Sequence, residues 1–157
     1  MRQPYTFWQK AGEAAALLIL SGVLLTLYTQ WEQIPARVPL HFDVRGEIDR
    51  WGGKNSLLLL PATAVFIYLL LTLTSFFPGL WNIPVKLTDA NRPAVYACMR
   101  NLQIVMKIEV IALLGFLTLR AAQAKALPGV FLPLLLLILL GTVGVFFLRL
   151  HRLGKLN

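Results

Sequence analysis

The sequence predicts an all-α integral membrane protein, with four transmembrane helices and a structured 25-residue extracytoplasmic loop between the first and second. Three observations carry this prediction. Of 157 residues, 57% are hydrophobic and 14% charged, with a mean hydropathy of +0.68, whereas a soluble domain carries about 25% charged residues. The apolar residues gather into four blocks of about twenty, the length that crosses a hydrocarbon core of roughly 30 Å. The stretch between the first two blocks holds prolines and glycines yet keeps its aliphatic and aromatic side chains. A soluble enzyme, a nucleic-acid-binding module and a disordered linker are excluded on these grounds. Residues 1–157 form one membrane domain.

The first span, 12–30 (GEAAALLILSGVLLTLYTQ), follows Arg2 and Lys10 as a signal peptide would. Its apolar stretch outlasts a usual signal core and ends in Tyr28-Thr29-Gln30-Trp31 without a small-x-small cleavage site, so it reads as a retained anchor. The second span, 56–77, carries Pro61 within its first two turns, where a missing N–H is tolerated. The third, 102–119, has an uninterrupted apolar run only from Val110 to Leu119. Lys107 and Glu109 must therefore enter the membrane, and intramembrane ionisable groups are functional candidates by default. Snorkelling of Lys107 and local pairing are the plainer expectation. This helix should begin near Asn91-Arg92-Pro93, with Asn91 as cap, and run about 45 Å to Ala122. The fourth span, 129–148, has Pro133 near its start and a small-residue patch at Gly141 and Gly144. Each span is expected to be helical, because lipid leaves no water for unpaired backbone groups.

Four spans put both termini on one side. The N-terminus, the 78–101 loop and the C-terminal tail, with Lys107, hold nine of the fifteen basic residues; the other side holds Arg37, Arg45, Arg50, Lys54, Arg120 and Lys125. The positive-inside rule then sets the termini in the cytoplasm and the 31–55 loop outside, in a multi-pass protein of the plasma membrane. The net charge of +8 is explained by this bias, without direct nucleic-acid binding. Trp8, Trp31 and Trp81 near span ends suit the headgroup layer. A lone cysteine, Cys98, excludes an internal disulfide, and with His41 and His151 as the only histidines no zinc cluster is expected.

The loop WEQIPARVPLHFDVRGEIDRWGGKN is the most informative stretch. Pro35 and Pro39 favour extended neighbours, and Asp43-Val-Arg-Gly46 and Asp49-Arg-Trp51-Gly52 read as turns. Such a loop should pack as a cap on the outer mouth of the bundle. Ile34-Pro35, Val38-Pro39, His41-Phe42-Asp43, Gly46, Asp49, Trp51-Gly52 and Lys54 together resemble the signature of the SdpI-like membrane proteins. That resemblance implies a polytopic fold with the cap between the first two spans. It also implies a role in binding and immunity, because the best-known member protects its cell from a secreted, membrane-damaging peptide and signals by sequestering a repressor at the membrane. A peptide toxin or partner membrane protein outside, and a cytoplasmic regulator inside, would be its partners besides the bilayer.

Read by their chemistry, His41, Asp43 and Asp49 are ligand types for a divalent metal but lack a fourth ligand. A His–Asp pair here lacks a serine or cysteine nucleophile. Neither a catalytic site, a metal nor a cofactor is expected. The candidate recognition residues are His41, Phe42, Asp43, Gly46, Asp49, Trp51, Gly52 and Lys54. In the structural reading, His41 and Asp49 satisfy backbone groups, Phe42 and Trp51 wedge the cap onto the bundle, and Lys54 ties it to the headgroups. Asp43 and Glu47 would be solvated acids suited to a cationic peptide. The alternative function is that of a structural or accessory subunit in a larger membrane complex.

Overall fold

The computed structural model describes residues 4–155; Arg2, counted above among the basic residues, lies outside them. Four helices, α1 (Phe7–Gln30), α2 (Leu59–Ser75), α3 (Arg92–Ala122) and α4 (Phe131–Gly154), are joined by a loop carrying two antiparallel strands, β1 (Arg37–Phe42) and β2 (Ile48–Gly53). With the 3-10 turn Lys54–Leu58 added to α2, all four helices are long and apolar enough to cross a membrane. Among the described residues, the small sheet is the one regular departure from an all-helical chain.

Local chemistry sets the helix ends. Thr6 opens α1 with a reciprocal box: its Oγ1 accepts from the Gln9 N–H at 3.3 Å, and Gln9 Oε1 accepts from the Thr6 N–H at 3.1 Å, relieving two orphan donors. Asn91 occupies the N-cap position of α3 as the sequence suggests, but its side chain bonds no N–H of the helix. Its Oδ1 accepts from the Thr88 N–H (2.9 Å) while Thr88 Oγ1 accepts from the Asn91 N–H (3.2 Å), so the pair closes a turn just ahead of Arg92-Pro93. At the far end, Lys125 N–H donates to Arg120 O and Ala124 N–H to Ala121 O, both at 3.0 Å. This is a Schellman closure with Ala124 in the left-handed region at φ 52°.

Helix α3 is the axis of the molecule: α1, α2 and α4 all pack on it, and α4 leans chiefly on it. Close approach of α1 is possible because Gly115 has no side chain; a Cβ there would lie 2.7 Å from Val23 Cγ2. Three apolar clusters fill the bundle. Leu27, Ile34, Val38, Leu57 and Ala121 pack beneath the hairpin, Ala16, Leu20, Ala64 and Ile111 at mid-height, and Val95, Cys98, Met99, Phe146 and Leu150 at the end bearing the termini. The start of α1 and the end of α4 thus share one end, where Tyr5 Oη meets Ser75 Oγ at 2.7 Å and Gln9 Nε2 donates to Asn101 Oδ1 at 2.7 Å.

Candidate functional site

The hairpin is built by its turn. Asp43 Oδ1 accepts from the backbone N–H groups of Arg45 and Glu47, each at 2.8 Å, while Gly46 N–H donates to Asp43 O at 2.9 Å. Gly46 reverses the chain at φ 86°, a conformation glycine adopts without steric cost. The Glu47 N–H, then the Arg45 N–H and guanidinium, hold the Asp43 carboxyl below its ordinary value of 3.8 against the opposing effect of burial. Asp43 is therefore committed to the turn. The expectation of a freely solvated acid at this position is corrected: two amide donors and Arg45 Nε at 3.5 Å already occupy it.

The cap's wedge is also not the one expected. Val38 is fully buried, whereas Trp51 is 42% exposed. The cause is the pairing: Val38 stands opposite Gly52 and Pro39 opposite Trp51, and cross-strand partners share a face while neighbours along a strand alternate. Gly52 thus shares the bundle-facing side with Val38, and Trp51 falls on the other. Phe42 is half-buried and lines the groove described below. Lys54 Nζ sits 4.7 Å from the centroid of the Trp31 ring, a cation–π contact that binds the end of α1 to the start of α2.

An irregularity in the ladder between Pro39 and Phe42 sets His41 and Asp49 side by side on the exposed surface. His41 Nδ1 lies 2.7 and 2.9 Å from the two Asp49 carboxylate oxygens, so the pair satisfies itself rather than backbone groups. The hairpin tip docks on the 123–130 connection, where Leu127 N–H donates to Gly46 O at 2.8 Å. Beneath the hairpin opens a groove of about 640 Å³ whose apolar walls include Leu60, Leu117, Phe131 and Leu132, with His41 and Asp49 at its polar lining. The sequence brings Phe42, Asp43, Gly46, His41 and Asp49 to this groove; it gives no hint of the α3 and α4 residues that complete it. Among the described residues, no three His, Cys, Asp or Glu side chains converge as a metal site would need.

The second candidate region lies inside the bundle. Lys107 does not snorkel: it is 1% exposed, and its Nζ donates to Glu13 Oε2 at 2.6 Å and Thr72 Oγ1 at 2.8 Å. The Tyr68 ring adds a cation–π face at 5.1 Å. Lys107 stands fifteen residues from the hairpin end of α3, about 22 Å along its axis, and burial at that point makes these partners necessary to the ammonium. Glu109 likewise stays inside, one oxygen accepting from Thr142 Oγ1 at 2.5 Å and the other buried without a hydrogen bond. Glu13, Thr72, Tyr68 and Thr142 escape sequence reading. The one available signal was Glu13, an acid inside the first span that required a cation.

Comparison with known proteins bears on the same region. The family model described as "Domain of unknown function (DUF1648)" matches residues 17–65, which run from α1 through the hairpin into α2. An "Uncharacterized protein" of Archaeoglobus fulgidus is 31% identical over 159 aligned positions, covering 88% of this chain and 86% of the archaeal one. No solved structure matches the chain.

Proposed function

The chain belongs to the family of this archaeal protein, and on that premise we propose that it is an SdpI-like binding module protecting a membrane against a membrane-active peptide. The observation that carries the reading is the groove beneath the hairpin, apolar along α3 and α4 and polar at His41 and Asp49. An amphipathic peptide presents matching surfaces, and a site lined by both kinds of group can hold its apolar face while the polar face stays wet. The protein, in this reading, acts by binding and not by catalysis. In this reading the hairpin faces outward and both termini lie in the cytoplasm of a plasma-membrane protein, where a cytoplasmic regulator would read the bound state.

The test uses the full chain in nanodiscs and a fluorescent leucine–lysine amphipathic peptide as probe. Saturable binding that Leu132→Trp weakens at least about tenfold, or about 1.4 kcal/mol, supports the reading. Equal partitioning into protein-free discs overturns it. In cells, deletion should raise sensitivity to membrane-active peptides. An accessory-subunit role is the second reading, favoured by α4, which leans chiefly on α3 and leaves Leu137, Leu140 and Val143 outward. Stoichiometric co-purification of another membrane protein would favour it.

A further inference from the structure

At the end of the bundle that carries the termini, a pocket of about 460 Å³ opens between the start of α3 and the last turns of α4, lined by Ala94, Ala97, Asn101, Arg149, Arg152 and Cys98 among others. We infer that this pocket binds the phosphate headgroup of an anionic phospholipid. Three features converge on that chemistry. Arg149 and Arg152 are three residues apart on α4 and therefore share a face. No acidic side chain lines the pocket, and neither arginine takes part in an ion pair among the described residues. Two planar guanidinium forks on one wall suit phosphate oxygens, which accept paired N–H donors.

Asn101 supplies a third donor. Its Oδ1 is held by Gln9 Nε2 at 2.7 Å, which fixes the amide and leaves Nδ2 to donate. The rest of the lining, Ala94, Ala97, Cys98 and Leu153, is apolar and mostly small, leaving room for the glycerol beside the phosphate. Depth selects a lipid as the source. Arg149 stands eighteen residues along α4 from Phe131, about 27 Å, and Asn101 twenty-one residues along α3 from Ala122, about 32 Å. Both counts end at the far boundary of a hydrocarbon core of about 30 Å, the level of lipid phosphates. The bland alternative, that the arginines merely complement the C-terminal dipole of α4, explains their presence on that helix but not the cavity or the fixed amide on α3.

Native mass spectrometry of the purified full chain tests the site, titrating phosphatidylglycerol and phosphatidylcholine separately. Phosphatidylglycerol adducts should survive at collision energies that strip phosphatidylcholine. The variant Arg149→Gln/Arg152→Gln should lose this preference by about tenfold or more, two interfacial arginines each contributing on that scale. Arg45→Gln on the hairpin should keep it. Equal retention of the two lipids by the wild-type chain overturns the site without recourse to any variant. So does a double variant that folds and retains the preference. Glycerol 3-phosphate displacing the lipid at equal concentration would also overturn it, because the site would then select a free phosphate and not a membrane lipid.

Discussion

Two charged residues carry most of the local consequence. Lys107 and Glu13 stabilise each other where neither could stand alone, and removing one partner of a buried pair typically costs about 3–5 kcal/mol. Lys107→Met should therefore lower the melting temperature in detergent markedly, as should Glu13→Gln, which leaves the ammonium with Thr72 and the Tyr68 ring. The double variant should recover much of the loss, because both desolvation penalties vanish together. A double variant destabilised by the full sum of the two single losses would show that the pair is not coupled. At Asp43 the consequence is pH-dependent. Its folded carboxyl titrates below the ordinary 3.8, so the turn's stabilisation is fully present above that value and is lost as pH falls through the lower folded one. Protease resistance of the hairpin should hold at pH 5 and fall only in stronger acid; Asp43→Ala should abolish that dependence and expose the loop at every pH.

At the scale of elements, two backbone positions test the caps. Ala124 occupies the left-handed site of the α3 Schellman closure, where glycine carries no Cβ penalty, so Ala124→Gly should stabilise the protein by about 1 kcal/mol. Gly46→Ala should do the reverse. A Cβ there would lie 2.7 Å from Leu127 O, against the very residue whose N–H binds Gly46 O. Limited proteolysis between β1 and β2 should rise, while Trp51→Ala, on the exposed face, should change it little. These elements also mark what the sequence could disclose. The spans, the start of α3 near Arg92 and its end at Ala122 were legible because length and apolar periodicity report burial in lipid directly. The hairpin was readable only as a turn-rich cap, since Pro39 and the glycines obscured the strand alternation and the irregular ladder hid which side Trp51 takes. The partners of Lys107 and the far wall of the groove were not legible at all. Both depend on which helix faces which, and spans that are apolar around most of their circumference carry little information on rotation.

At the scale of the whole molecule, the fold determines that hairpin and termini lie at opposite ends, and the remaining question is which end faces the cytoplasm. The count of basic residues leans one way. Taking Lys107 out, because the bundle's interior holds it, leaves eight against six in favour of the terminal end. The charges at the two ends also differ in their surroundings. On the hairpin, Arg45 lies 3.5 Å from Asp43, and Lys54 is engaged by Trp31. At the terminal end, Arg149 and Arg152 face a pocket without an acid. The rule counts Lys and Arg and not net charge, so the eight-to-six count carries the expected orientation by itself. In a Cys98→Ser background, Arg45→Cys, at a side chain 84% exposed, should react with an impermeant maleimide in intact cells. Lys155→Cys should react only after permeabilisation. The reverse pattern would turn the molecule over, move the groove to the cytoplasmic face, and leave no route by which an external peptide could reach it.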